Sequence, residues 1–196
     1  MAILTKSAIL KSFGELASGK TVDKISVKDI TSHCGISRNT FYYHYKDVYQ
    51  VLQEFMEYKT KEAMRQIEND HAEKDIEKAC LHGMEHIISN KQLLYHLFKS
   101  SGNAEVEKYL EKSVEALFNH LISILSEDID IIDEDKQLIS RICQYAITGI
   151  ILGVLRKDNT DTEYNLSEIL ERASFLFSGA LEGALARSAN QIEIIK

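Results

Sequence analysis

Eight side chains that donate or accept hydrogen bonds lie in one short segment near the amino terminus: Ser37, Arg38, Asn39, Thr40, Tyr42, Tyr43, His44 and Lys46. Arginine can hydrogen-bond two atoms of a guanine edge, and asparagine can do the same with adenine. Hydroxyl, phenol and ammonium groups suit phosphate oxygens, which fix the position of a protein on DNA without carrying sequence information. The segment therefore predicts binding to double-stranded DNA, with Arg38 and Asn39 as base readers.

A simpler interpretation of the same segment is that its serine only caps a helix and its arginine is only a solvated charge. The aromatic residues carry a similar alternative, because one side of the segment can close a small hydrophobic core. The spacing predicts two roles: Phe41 and Tyr45 in the core, Tyr42 and Tyr43 on DNA, with His44 suited to either.

Two short helices joined by a glycine turn must position this segment. Ser26 can cap a helix over about residues 26 to 33, Gly35 can end it, and Ser37 can cap a helix over 37 to 44. This pattern predicts a helix-turn-helix. Ser26 and Lys28 add a helix amino terminus whose free N–H groups can receive a phosphate.

The rest of the chain favours long helices, because it contains no proline and only nine glycines. Apolar residues recur at helical spacing over 3 to 18, and again from Lys46 to about residue 67. Further amphipathic segments cover about 73–90, 91–99, 103–126, 134–157 and 166–188. We predict an all-α protein of about nine helices, with a DNA-binding domain over 1–50 and a helical ligand-binding and dimerisation domain over 51–196, the two joined by helix four.

The charge is divided unevenly between these two parts. The whole chain has a net charge of −7, yet residues 1 to 50 hold seven Lys or Arg against four Asp or Glu. The remainder holds 16 basic against 26 acidic residues. A basic head on an acidic body is compatible with DNA binding by the head alone.

The cysteines and the apolar segments of the sequence predict the cellular compartment of the protein. The three cysteines are far apart and form no paired motif, which favours a reducing compartment. No signal peptide is evident at the amino terminus, and the apolar run over 142–155 falls short of the roughly 20 residues that span a bilayer. We expect a cytoplasmic protein with no membrane partner.

The segment from Gly35 to Lys46 resembles the signature of the TetR family, with its small turn, capping serine, Thr-x-Tyr and aromatic-His-aromatic-Lys ending. The resemblance implies a dimeric repressor that binds a palindromic operator and is released by a small molecule. Family members often carry a second lysine where Val48 stands here. The body is similar to the branch that includes dihydroxyacetone kinase operon regulators, which implies a coactivator as the alternative.

The resemblance also implies a small-molecule pocket between the helices of the body, although the effector is unknown. Polar groups on the predicted helices make four candidate lining residues: His82, His86, Tyr95 and Tyr145. His82 and His86 have the i, i+4 spacing of a metal pair, but no third ligand is fixed nearby. We expect neither a metal nor a cofactor.

Two other classes of function have less support. A helical di-iron enzyme needs two Glu-x-x-His elements and two further glutamates, whereas only Glu68 and His71 fit one such element. No phosphate loop, nucleophile elbow or His-Glu-x-x-His motif is present, so we expect no enzyme activity. A helical protein-interaction module would not require the basic segment.

Glycines inside the last two predicted helices indicate a close helix contact. Each costs about 1 kcal/mol relative to alanine, so their i, i+4 pairs suggest that another backbone approaches there. We expect a bulky stripe facing the core of the domain: Leu170, Phe177, Leu181 and Leu185. We expect a flatter set in a two-fold interface: Gly149, Gly153, Leu176, Gly179, Ala180, Gly183 and Ala184. Tight packing inside one subunit is the alternative.

Overall fold

The computed structural model describes residues 2–71, 91–99, 103–156 and 166–195, and every regular element in these ranges is helical. The predicted all-α class is confirmed. The predicted helix over 73–90, with His82 and His86, lies outside the described residues. The helices are α1 Ala2–Ala17, α2 Val27–Cys34, α3 Arg38–His44, α4 Val48–His71, α5 Lys91–Phe98, α6 Asn103–Leu125, α7 Asp133–Arg156 and α8 Leu166–Ile195, with a 3-10 turn at Val22–Lys24.

The chain divides into two compact units, and the first extends beyond residue 50. It holds α1 to α3, α4 as far as Lys59, α5, and α6 as far as Leu110. Its core combines residues that are distant in sequence: Ile9, Phe13, Ile30, Phe41, Leu52, Leu97 and Val106. Three elements of this core, α1, α2 and α3, form the three-helix head.

The second unit holds the rest of α4 and α6, together with α7 and α8. Its described core is aliphatic: Ile67, Leu121, Ile122, Ile124, Leu125, Ile131, Leu181 and Leu185. Two buried serines join its helices, because Ser140 Oγ donates to Asn119 Oδ1 and Ser188 Oγ donates to Asp135 Oδ2, each at 2.5 Å. These hydrogen bonds satisfy polar groups that would otherwise be costly to bury.

One side of α7 exposes an apolar stripe at helical spacing. Leu138, Ile142 and Tyr145 are 55%, 59% and 66% exposed, and Gly149 and Gly153 continue the same side. Tyr145, which was predicted to line a ligand pocket, lies on this exposed stripe in the protomer, and its contact with a ligand stays a prediction. Periodicity places Tyr145 on a side of the helix without showing whether another element covers that side.

Helix α8 differs from its prediction at two points. Leu170, Leu181 and Leu185 are buried as expected, whereas Phe177 is 65% exposed although it lies on the same side of the helix. The helical pattern predicted the side of α8 on which Phe177 lies. It could not show whether another helix packs against that side. The helix also continues to Ile195 instead of ending near residue 188, because no glycine or proline follows Gly183.

By length and composition, α7 is the one helix among the described residues that is apolar enough to cross a membrane, and 33% of its most apolar stretch is buried. Its first turn is acidic, with Asp133, Glu134 and Asp135, and its last turn carries Arg156. The exposed apolar side chains lie on one side of it, whereas a membrane-spanning helix is apolar around its circumference.

Candidate nucleic-acid interface

The first part of the interface is the amino terminus of α2, which a reciprocal pair of hydrogen bonds fixes. Ser26 Oγ accepts from the Asp29 N–H at 3.1 Å, and Asp29 Oδ2 accepts from the Ser26 N–H at 2.8 Å. Lys20 Nζ lies 3.2 Å from the same carboxylate. The predicted cap at Ser26 is confirmed, and an aspartate completes the capping box that more often uses glutamate.

These hydrogen bonds make the stability of the head dependent on acid. The backbone N–H of Ser26, then its hydroxyl and Lys20, lower the pKa of Asp29 from 3.8 to about 2. A lowered pKa in the folded state stabilises the fold above the unfolded value, and that contribution is lost as pH falls from about 4 towards 2. We expect Asp29→Asn to lose stability at pH 6 but to approach the wild type at pH 2. Melting temperatures across this range test the prediction, and a difference that does not change with pH contradicts it.

The turn between α2 and α3 uses glycine for a conformation that other residues rarely adopt. Gly35 has φ of 70°, in the left-handed region, and its N–H donates to the Thr31 carbonyl. Ser37 then caps α3, because its Oγ accepts from the Thr40 N–H at 3.0 Å. The Ser37 and Thr40 hydroxyl oxygens lie 2.8 Å apart. Gly35 therefore ends α2 and Ser37 caps α3, as predicted, and together they fix the start of α3.

Helix α3 has one buried and one exposed side. Phe41 and Tyr45 are 0% and 1% exposed, so their predicted core positions are confirmed. Tyr42 and Tyr43 are 56% and 82% exposed on the other side. His44 is half-buried, with its ring 5.0 Å from that of Tyr43. Exposed phenols of this kind can reach a partner outside the protein, and their contact with DNA stays a prediction.

The remaining predicted contact residues lie at the start of α2, on α3 or next to its ends. Most of them are exposed, and Thr40 is half-buried: Ser26, Lys28, Ser37, Arg38, Asn39, Thr40 and Lys46. Arg38 and Asn39 occupy the first turn of α3, the end that base-reading side chains occupy when a recognition helix enters the major groove. Two short helices thus bring the predicted residues to one part of the head.

Val48 has a structural role in this head. It begins α4 and packs partly buried against the core of the first unit, which explains an apolar residue at this position. Two side chains fix the start of α4. Asp47 Oδ1 accepts from the Gln50 N–H at 2.9 Å. Gln50 Oε1 accepts from the Lys46 N–H at 2.6 Å. Lys46 is therefore held next to the end of α3 with its ammonium exposed.

The predicted ligand residues are distributed over different parts of the chain. Tyr95 is half-buried on α5 in the first unit, with Lys99 Nζ 5.6 Å from its ring centre. Tyr145 is exposed in the second unit, and the two histidines fall outside the described ranges. The described residues contain no group of three His, Cys, Asp or Glu side chains that could hold a metal.

One polar contact beside the interface was not found from the sequence. Lys6 on α1 forms an ion pair with Glu54 on α4, with 2.7 Å between Nζ and Oε2. The two residues are 48 positions apart, so no local spacing rule connects them. Only the packing of α1 against α4 brings them together.

The comparisons agree with this architecture. A TetR family model described as "Transcriptional regulator C-terminal region" matches residues 74–175. No curated protein matches the sequence.

Solved structures of regulators share the fold. The Dihydroxyacetone kinase operon activator DhaS is 20% identical, with a TM-score of 0.63, and the match covers 96% of this chain and 97% of that one. A putative TetR-family transcriptional regulator from Syntrophomonas wolfei is 19% identical, with a TM-score of 0.65 over 92% and 96% of the two chains. The fatty acid degradation regulator FadR from Bacillus halodurans is 14% identical, with a TM-score of 0.61 over 87% and 93%.

Proposed function

The chain belongs to the TetR family of transcriptional regulators, and we propose that it binds a palindromic operator as a homodimer and is a repressor released by a small molecule. The observation that carries the proposal is the two-sided α3. Phe41 and Tyr45 anchor the helix in the head, while Arg38 and Asn39 remain exposed at its first turn. In this arrangement the helix can enter a major groove without unfolding the head.

The proposed contacts divide into two kinds. Arg38 and Asn39 read base edges, while Thr40, Tyr42, Tyr43 and Lys46 bind phosphates. Ser26, Lys28 and Ser37 add contacts at two helix amino termini, where backbone N–H groups favour anions. We place the protein in the cytoplasm, where it can reach the operator. A gel shift with the DNA just upstream of its own gene tests the proposal, and equal affinity for unrelated DNA overturns it.

The proposed dimer surface, which we call the α7–α8 face, is the small and apolar side of two helices that pack against each other, exposed except at the half-buried Gly183 and Ala184. It consists of Leu138, Ile142, Tyr145, Gly149, Gly153, Leu176, Gly179, Ala180, Gly183 and Ala184. A Cβ added at Gly149, Gly153 or Gly179 meets no described atom within 4 Å. Packing among the described residues of one subunit therefore does not account for these three glycines.

A second copy of the chain suits the α7–α8 face better than lipid does. Its glycines allow another backbone to approach closely, as in interfaces between facing helices. The α7 helix also begins with three acidic residues and keeps Arg141 exposed along its length. A two-fold arrangement of α7 and α8 would form a four-helix interface, in which each copy contributes the same surface.

The effector step rests on α4, which belongs to both units without a break in its helix. A ligand that binds one arrangement of the dimer better than the other shifts the operator affinity, and a ligand without such a difference shifts nothing. His82, His86, Tyr95 and Tyr145 remain the proposed lining residues.

We expect a screen by thermal shift to find small molecules that raise the melting temperature and also weaken operator binding. The physical reason is that a ligand bound to the operator-incompetent arrangement stabilises that arrangement at the expense of the other. Operator affinity measured with and without each hit checks the prediction. Hits that all stabilise the protein without changing operator affinity contradict ligand release.

Activation is the second candidate, because one protein with this fold is named an operon activator. A reporter gene behind the native promoter separates the two signs of regulation. Deleting the regulator raises expression if it is a repressor and lowers inducible expression if it is a coactivator.

A further inference from the structure

The Lys6 ammonium connects three elements of the first unit: α1, the end of α3, and α4. It donates to both carboxylate oxygens of Glu54, at 3.0 and 2.7 Å, and therefore joins α1 to α4. The same Nζ lies 5.2 Å from the centre of the Tyr45 ring. Tyr45 is the residue that ends α3, where its backbone N–H donates to the Phe41 carbonyl.

The surroundings of this contact fix its geometry. Phe55, next to Glu54, packs so closely on α1 that a Cβ added at Gly14 would lie 2.7 Å from its ring. Phe13 contacts the same ring edge-on, with 5.4 Å between ring centres. Burial, and then the negative charge of Glu54, raise the pKa of the Tyr45 phenol. The carboxylate is thus near the aromatic ring that anchors the end of α3.

The Lys6–Glu54 ion pair contributes little to the stability of the fold. Its removal can therefore change the orientation of α3 without unfolding the protein. The Lys6 and Glu54 side chains are 41% and 34% exposed. Ion pairs with this much solvent contact contribute little to the free energy of folding. The core beneath them, and not this pair, therefore stabilises the head.

We propose that Glu54 is a positioning residue for operator recognition, because it holds the Lys6 ammonium against Tyr45 and so fixes α3 relative to α4. The inference rests on the proposed function. It adds that α3, α1 and the first part of α4 move as one rigid body. A movement of α4 therefore displaces the base-reading residues of α3 by the same rotation.

The Glu54→Gln variant is expected to change the affinity for operator DNA and for unrelated DNA in opposite directions. Glu54→Gln removes a negative charge from the head, which by itself favours all DNA slightly. Loss of positioning instead misaligns the base contacts, which only operator binding uses. We expect affinity for the operator to fall about tenfold, the scale of one base contact, while affinity for unrelated DNA stays equal or rises.

Two control variants make the experiment specific. Glu57→Gln makes the same charge change at an exposed position of α4 that contacts Gln53 instead of Lys6, so we expect it to preserve the operator preference. Lys6→Gln is expected to lose that preference, whereas Lys6→Arg keeps a cation that can pair with Glu54 and lie on the Tyr45 ring, so it is expected to keep the preference. Thermal unfolding of each variant shows that it is folded at the assay temperature.

The outcomes separate this inference from the proposed function. Equal tightening of operator and unrelated DNA by Glu54→Gln and Glu57→Gln overturns the positioning role, as does a Lys6→Gln variant that keeps the operator preference. Wild-type protein without preference for any DNA sequence overturns the proposed function, and this result is obtained before any variant is made.

Discussion

A glutamate at Ala180 is expected to yield folded monomers that have lost most of their operator affinity. Ala180 is exposed in the protomer and belongs to the α7–α8 face, so the carboxylate has water around it until a second copy binds. An unpaired buried charge costs about 3–5 kcal/mol, and two-fold symmetry places the charge twice. The dimer should weaken by at least about ten-thousandfold.

The loss of DNA binding follows from the loss of the second head. A monomer reaches only one half-site, and linking two binding modules typically contributes at least about a hundredfold. Sedimentation and operator titration at the same protein concentration measure both effects. The matched control is Ala104→Glu, which makes the same change at an exposed position of α6, outside the α7–α8 face. If Ala180→Glu remains a dimer, the α7–α8 face is not the interface.

The second large effect is expected at the first turn of α3. Arg38→Ala and Asn39→Ala should each remove a base contact worth about 1–3 kcal/mol and relax the preference at one operator position. Both side chains are exposed, so the fold of the head should not change. Binding to operators with single base changes identifies the position that each residue reads.

Lys46→Ala serves as the comparison variant, because it should weaken binding to all sequences alike. Its ammonium is exposed just after α3, and loss of one phosphate contact lowers the dependence of log affinity on log salt by about 0.9 for each chain, or about 1.8 for the dimer. If Arg38, Asn39 and Lys46 variants all keep wild-type affinity and preference, the placement of the interface on α3 is wrong.

Local rules were sufficient to predict the head. Ser26, Gly35 and Ser37 act over three or four residues, through caps and a left-handed turn that depend on residue type alone. The division of α3 into a buried and an exposed side also followed from periodicity, because Phe41 and Tyr45 are four residues apart. These features need no information about distant parts of the chain.

Features that depend on distant contacts were not predictable in this way. The Lys6–Glu54 ion pair exists only because α1 and α4 pack together. Tyr145 and Phe177 lie on the sides of their helices that periodicity indicates, yet both are exposed, because exposure depends on which other elements arrive. For the same reason, spacing could only propose His82, His86, Tyr95 and Tyr145 as pocket residues, and that proposal stays a prediction.

The most direct test of the account is the number of chains bound to a palindromic DNA taken from the region upstream of the gene. The account predicts two chains per palindrome, with half-site centres about 34–36 Å apart or a multiple of that distance. It also predicts much weaker binding to a single half-site of the same length. One chain per palindrome, or equal affinity for the palindrome and for unrelated DNA at physiological salt, would contradict it.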